Sequence, residues 1–499
     1  MNPLLLTDGY KTGHHQQYPK GTTLVYSNFT PRSNKYAPKG CDEVVVFGPQ
    51  MVMSQLHEMF QNEFFSKPKA EVCGEMQREL SAYLGSDYDV SHFEKLHDLG
   101  HLPIAVKALP EGTKAPIKVP VFTIYNTHPD FYWITNYLET ILSNLLWKPM
   151  TSATIAHQYR KVLTSWMEKT DKERAWFIDW QGHDFSMRGM DSVEAVISSG
   201  LGHLTSFSGS DSLPAIYGAR KYYGADGFVS GSVPATEHSV MCAGGKEDEV
   251  ETFRRLLKTY PTGILSVVSD TWDLWKVCTE HVVTLKEEII NRDGKLVIRP
   301  DSGDPVDILC GAYNTINSGD EQNLDYNYPK HGVEKDSPEY KGVIELLWDV
   351  FGGTVNEQGY KVLDSHIGAI YGDSITIDRA NEICQRLAAK GFASTNVVLG
   401  IGSFTYQYNT RDTFGFAMKA TYVEVDGAGR EIFKDPITDD GTKKSATGLL
   451  CVATHKDGHL VLADKVTWDG EANGVLQLIY KDGQQYNITT LDEIRIKLK

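Results

Sequence analysis

Four short apolar runs in the second half of the chain end alike, and those ends constrain what it can fold into. Ile264–Val268 runs into Ser269-Asp270, and Leu296–Ile298 into Arg299-Pro300-Asp301-Ser302-Gly303. Ile367–Tyr371 runs into Gly372-Asp373-Ser374, and Asn396–Leu399 into Gly400-Ile401-Gly402-Ser403. Runs this short and apolar read as strands. Helical patterns lie between them. Val250, Phe253, Leu256, Leu257 and Tyr260 share one helical face, and further helices are predicted over about 271–291 and 377–390. Strands alternating with helices make βαβ units and a parallel sheet. In such sheets the site lies at the carboxyl ends of the strands. A single Asp or Ser there reads as a helix cap. Four in register, with glycine beside two of them, predict a shared site.

The two chain ends have a different texture. Leu24–Phe29 and Glu43–Phe47 read as strands, 102–123 as β-like, and 132–147 and 152–169 as helices. Beyond about residue 405, Ala420–Val425 and Leu449–Ala453 are strands near Asp-Gly turns. The expected architecture is therefore α/β. Residues 151–404 form a barrel domain carrying the site, and 1–150 with 405–499 form a β-rich α+β domain built from both ends. The polar insert 311–340 reads as a surface loop.

With 41% hydrophobic and 23% charged residues in 499, the chain carries a large core and is not disordered. It lacks a run of about 18 apolar residues, and its start has no basic region before an apolar one. The expectation is a cytoplasmic protein without a membrane partner. A net charge of −16 argues against a nucleic-acid partner. The seven cysteines are scattered and never form a CxxC pair, which predicts reduced thiols rather than zinc or disulfides.

Glycine turns at helix starts suit phosphate. The chain has no GxxxxGK[ST], no complete GxGxxG and no HExxH, so neither a P-loop, a dinucleotide fold nor a zinc protease site is predicted. Asp301 and Asp373 offer hard oxygens for Mg²⁺ or for ribose hydroxyls. His238, in Ser232–Ser239 beside Glu237, is placed equally well for a structural role or for proton and phosphoryl handling. Arg411, Lys419, Lys434, Lys443 and Lys444 are either solvated turns or an anion site. His14-His15 reads as an exposed turn rather than a metal site.

At these residues the chain resembles a known family. Asn2–Lys11, Gly182–Gly189, Ser232–Ser239, Ser266–Asp270, Ile298–Gly303 and Phe433–Pro436 are similar to segments of the nicotinamide phosphoribosyltransferases, in order and at similar spacing. These are type II phosphoribosyltransferases. The resemblance implies an irregular α/β barrel with a second β-rich domain, working as a homodimer with shared sites. It implies pentosyl transfer: nicotinamide and phosphoribosyl pyrophosphate give nicotinamide mononucleotide and pyrophosphate in NAD biosynthesis. ATP as co-substrate, a phosphohistidine and Mg²⁺ come with it; the metal ligands are not assigned.

Carried over by motif, His238 is the phosphorylated histidine and Asp270 the carboxylate orienting it. Asp301 and Arg299 complete the catalytic set, Asp301 holding ribose hydroxyls. Phe185 and the partner subunit's Tyr10 would sandwich the pyridine ring, with Asp8 in the same N-terminal motif. Asp211 would accept from the carboxamide, and Arg188, Arg299 and Ser266 would line that pocket. Gly372-Asp373 and Gly402 would hold the ribose and 5′-phosphate. Arg32, Arg411, Lys419, Lys434 and Lys443 match the basic residues near pyrophosphate. One turn departs from the family: a run of glycines is replaced here by Gly400-Ile401-Gly402-Ser403-Phe404.

Three rival readings stand beside this one. A nicotinate phosphoribosyltransferase is disfavoured because the Asp211 carboxylate repels a substrate carboxylate. A barrel glycoside hydrolase, using two of Asp270, Asp301 and Asp373, gives the basic residues no role. A non-catalytic binding dimer is at odds with the intact His238, Asp270, Asp301 and Arg299.

Overall fold

The computed structural model describes residues 1–317, 324–434, 437 and 446–499. It consists of two compact units. Unit 1 comprises Met1–Ile155, Gly218–Asp226 and Asn409–Lys499, and unit 2 comprises Ala156–Tyr217 and Gly227–Tyr408.

Unit 2 is built on six parallel strands: β1 (Gly182–Asp184), β2 (Gly209–Ser210), β3 (Thr262–Val268), β4 (Asp293–Arg299), β5 (Ile367–Tyr371) and β6 (Val397–Ile401). Their order is β2-β1-β6-β5-β4-β3. The central β5 is buried at every position, as a parallel strand covered on both faces must be. Both edges are engaged by one irregular segment. Gly231 bridges Gly209 of β2, and Ala235 bridges Ser266 of β3, both in parallel. Ser210 N donates to Gly231 O at 3.2 Å, and Ser266 N donates to Pro234 O at 2.9 Å. Residues 231–235 thus span the two edges of the curled sheet, as the expected irregular α/β barrel requires.

Unit 1 holds a seven-stranded antiparallel sheet. Its order is Ala428–Glu431, Ala417–Val425, Thr22–Thr30, Phe122–Asn126, Ile104–Ala108, Gln477–Lys481 and Gln484–Gln485. Three adjacent N-terminal strands are flanked on each side by two from the C-terminal end, as expected for a β-rich domain built from both chain ends. Asp426-Gly427 and Asp482-Gly483 have positive φ at both residues, the backbone that two-residue hairpins require.

Two local expectations need correction. The insert 311–340 is not simply a loop: Tyr313–Asn317 and Leu324–Pro329 pair antiparallel. The helices predicted over 132–147 and 152–169 run instead as one helix, Glu139–Thr170, with Pro149 inside. The Pro149 ring lies against Gly48, where a Cβ would approach it to 2.6 Å. A smooth neighbour makes room for a proline that otherwise disrupts a helix. No helix of the described residues is long and apolar enough to cross a membrane.

Candidate active site

The carboxyl ends of the barrel strands bring the predicted residues together. β3 ends at Ser269-Asp270, β4 at Arg299-Pro300-Asp301, β5 at Gly372-Asp373 and β6 at Gly402. β1 and β2 add Phe185 and Asp211. Asp270 fixes the loop beside it, its Oδ2 accepting from the backbone of Asp301 at 2.8 Å and Ser302 at 2.7 Å.

His238 is the first residue of the short helix His238–Gly244. Its Nδ1 faces Thr271 Oγ1 at 3.2 Å. Its Nε2 is 3.9 Å from Asp270 Oδ1 and 3.9 Å from Asp301 Oδ2. The ring is half exposed with negative charge on both sides of one nitrogen. At 3.9 Å the carboxylates act on it through charge rather than through a hydrogen bond.

Glycine brings β4 and β5 close at this end. A Cβ on Gly372 would lie 2.6 Å from Asp301 Oδ1 and 2.9 Å from Arg299 Nε, and one on Gly402 would meet Asp373 Oδ1. Just beyond, Ser374 takes φ +62. A non-glycine residue in the left-handed region costs energy and concentrates at functional turns. Ser403 sits against Gly189, beside Arg188 in the turn Met187–Gly189. Arg188 is exposed.

Inside the barrel lies a cavity of about 550 Å³. At one part of its wall the Arg299 guanidinium lies 4.8 Å over the Phe185 ring, a cation–π contact in a confined site. The His183 ring lies 4.5 Å from that of Phe185, tilted by 33°, and its Nε2 lies 2.9 Å from Asp211 Oδ1. Burial lifts the Asp211 carboxyl, but hydrogen bonds from His183 and Ser232 and the charge of Arg299 outweigh it and hold the group below the usual range. Asp211 is therefore an anion at neutral pH. Burial and the charges of Asp301 and Asp270 push the Tyr371 phenol up, so it stays protonated and donates to Gly303 O at 2.8 Å.

The buried groups left unpaired point to a ligand. Ser266 Oγ, Arg299 Nε, Asp270 Oδ1 and Asp301 Oδ1 are all buried without a hydrogen-bond partner. Native interiors satisfy nearly every such atom with protein or water, so four along the ends of adjacent strands are groups that a ligand could satisfy. The set of two donors (hydroxyl and guanidinium) and two carboxylate acceptors suits a sugar phosphate and the amide of a small ring.

Sequence reasoning missed His183, which lies within the quoted Gly182–Gly189 motif, and the aromatic wall of Trp176, Phe177 and Trp180. In unit 1, Arg32, Lys419, Lys434 and Arg411 form one cationic group. Burial and the other three charges depress the Lys419 ammonium, partly offset by Glu139, and burial with Arg411 depresses Arg32. Lys443 and Lys444 lie outside the described residues. Tyr10 is exposed in the turn Gly9–Gly13, beside Lys11, which pairs with Glu139 at 2.7 Å. Asp8 accepts from Thr140 Oγ1 at 2.7 Å.

Comparison with known proteins places the chain in a family. The nicotinate phosphoribosyltransferase (NAPRTase) family model matches residues 180–469, more than half of the chain. The nicotinamide phosphoribosyltransferase N-terminal domain matches residues 2–105. A nicotinamide phosphoribosyltransferase of Acinetobacter baylyi is 50% identical over 510 residues, spanning 100% of this chain and 97% of that protein. One of Xanthomonas campestris is 34% identical over 504 residues, spanning 99% and 97%. Among solved structures, human nicotinic acid phosphoribosyltransferase aligns with TM-score 0.55 at 16% identity, over 99% of this chain and 92% of that one. Pyrococcus furiosus nicotinate-nucleotide pyrophosphorylase aligns with TM-score 0.54 at 14% identity, over 100% and 94%; these two likenesses concern the fold. With more than half its length matched by the family model and 50% identity along all of it, the chain belongs to the nicotinate and nicotinamide phosphoribosyltransferase family of pentosyltransferases.

Proposed function

We propose that the protein joins nicotinamide to 5-phosphoribosyl 1-pyrophosphate, giving nicotinamide mononucleotide and pyrophosphate for NAD biosynthesis. The observation that carries this reading is the ionised Asp211, held by His183 beside the Phe185–Arg299 stack. A carboxylate accepts from a carboxamide and repels a carboxylate, so the pocket favours the amide base. The names of the Acinetobacter and Xanthomonas relatives support the same choice.

In the proposed reaction the pyridine nitrogen attacks the anomeric carbon, and the bond to pyrophosphate breaks with its electron pair. The nitrogen carries no proton, so the step needs no general base. Phe185 holds the ring flat, and offset stacking suits a heteroaromatic. Asp301 accepts from ribose hydroxyls, and its carboxylate faces an oxocarbenium-like ribose. The closed turns at Gly372 and Gly402 present backbone to the 5′-phosphate.

The enzyme acts as a homodimer in this reading. The partner's Tyr10 covers the second ring face, and the partner's Arg32, Arg411, Lys419, Lys434 and Lys443 hold the leaving pyrophosphate. The crowding of Arg32, Lys419, Lys434 and Arg411 supports an anion there. The unpaired Asp301 Oδ1 and the exposed Asp373 are hard oxygen donors and fit Mg²⁺. Bound there, the ion would neutralise charge on the diphosphate. ATP is the co-substrate, its γ-phosphate passing to His238 and then to water.

Mass identification of products from phosphoribosyl pyrophosphate, Mg²⁺ and nicotinamide, with and without ATP, tests the reading. ATP should raise the yield, and His238→Ala should lose that stimulation while retaining ATP-independent turnover. Stimulation that survives in His238→Ala would exclude the phosphohistidine.

A further inference from the structure

The turn joining the unit 1 strands Leu449–Thr454 and Leu460–Val466 carries His455, Asp457 and His459. The backbone fixes their positions. Thr454 pairs with Leu460, His455 N donates to His459 O at 2.8 Å, and Gly458 N donates to His455 O at 2.9 Å. Gly458, at φ +93, supplies the left-handed residue the turn needs. The two histidines therefore face each other across the mouth of the hairpin. Their rings lie 4.9 Å apart and 28° from parallel. Both Nδ1 atoms converge on Asp457 Oδ1, at 2.9 Å from His455 and 2.5 Å from His459.

We propose that His455, Asp457 and His459 form a binding site for a divalent transition-metal ion of the zinc class. Two imidazole nitrogens and one carboxylate oxygen make a three-ligand set that leaves positions open to water. Ligand atoms about 2.1 Å from one ion lie about 3.0–3.4 Å apart. The three donors all lie within 4.8 Å of one another, close to that spacing, and none is fixed by the core. Nitrogen donors select zinc, nickel or copper, whereas magnesium prefers oxygen. All three side chains are about half exposed, so the ion enters from solvent without opening the core. None of the three has a role in the phosphoribosyl chemistry. A cation that binds the folded turn and not the unfolded chain stabilises the hairpin.

The test is calorimetric titration of the metal-free, full-length protein with ZnCl₂, alongside His455→Asn and the double variant His455→Asn/His459→Asn. The parent should show a zinc site that the double variant lacks. The single variant should bind at least about tenfold more weakly, since even the loss of an outer partner weakens a metal site by about 10- to 100-fold. Zinc should raise the melting temperature of the parent more than that of the double variant. MgCl₂ in place of ZnCl₂ should produce neither effect. The substituted positions face solvent, and melting without metal verifies that the variants fold. Indistinguishable zinc isotherms and zinc-dependent melting shifts in parent and double variant would overturn the proposal. An equal difference between parent and double variant with magnesium would overturn the assigned metal class.

Discussion

Gly372→Ala isolates the close approach of β4 and β5 that the active site depends on. The residue needs no left-handed backbone, so the substitution adds a methyl group and little else. That methyl would sit 2.6 Å from Asp301 Oδ1 and 2.9 Å from Arg299 Nε. Ordinary contact begins at 3.4 Å, so one of the two groups must retreat by about 0.8 Å, the other by about 0.5 Å, or the strand must shift. Arg299 is buried over Phe185, which leaves it little room to yield. Overpacking of this kind costs about 1–3 kcal/mol, and displacing reacting groups by a fraction of an ångström to one ångström lowers turnover about 10- to 100-fold. The assay is kcat/KM for phosphoribosyl pyrophosphate at saturating nicotinamide, with thermal melting in parallel. Gly74→Ala is the matched control. It lies in the helix Lys69–Leu84 with nothing within 4 Å of a Cβ, and alanine there stabilises by up to about 1 kcal/mol. Activity of Gly372→Ala within about twofold of the parent, at unchanged melting temperature, would refute the argument that Asp301 and Arg299 must meet at this glycine.

Two further predictions rest on single carboxylates. Asp211→Asn should raise the use of nicotinate relative to nicotinamide by roughly tenfold, because two carboxylates about 5 Å apart in a half-open pocket repel by about 1–2 kcal/mol; the product ratio from mixed bases reads it. Glu111 is buried against Gln50 N and Tyr223 Oη, and burial pushes its carboxyl up from 4.5 to about 7. The folded state holds that proton more tightly than the unfolded chain. The contribution is therefore fully present below about pH 4.5 and is lost as pH rises through 7, a fall of up to about 3 kcal/mol. Glu111→Gln should flatten the dependence of melting temperature on pH across that window, and an unchanged slope would contradict it.

Four of the six barrel strands, β3 to β6, were legible because each announces itself locally, as an apolar run followed by Asp or Gly at the carboxyl end; the two- and three-residue β2 and β1 carry no such run. Asp270, Asp301 and Asp373 follow from that pattern, since topology alone sends those ends to one face. The spanning segment 231–235 was not legible. It pairs through two isolated bridges, and single bridges impose no periodicity. His183 escaped notice because one histidine in a strand carries no signal until Asp211, 28 residues on, lies 2.9 Å away. The unbroken helix through Pro149 depends on the missing side chain of Gly48, a hundred residues earlier. The antiparallel pairing of Tyr313–Asn317 with Leu324–Pro329 was hidden by an Asn- and Asp-rich composition, which usually marks loops. Local chemistry, in short, foretold the strand ends, and what it missed depends on residues brought close only by the fold.

Competition between two bases tests the central claim most directly. The protein, phosphoribosyl pyrophosphate, Mg²⁺ and ATP are mixed with equal concentrations of nicotinamide and nicotinate, and both mononucleotides are quantified by mass. An anionic Asp211 beside Phe185 and Arg299 predicts that nicotinamide mononucleotide predominates. Predominance of nicotinate mononucleotide would contradict the account of the base pocket.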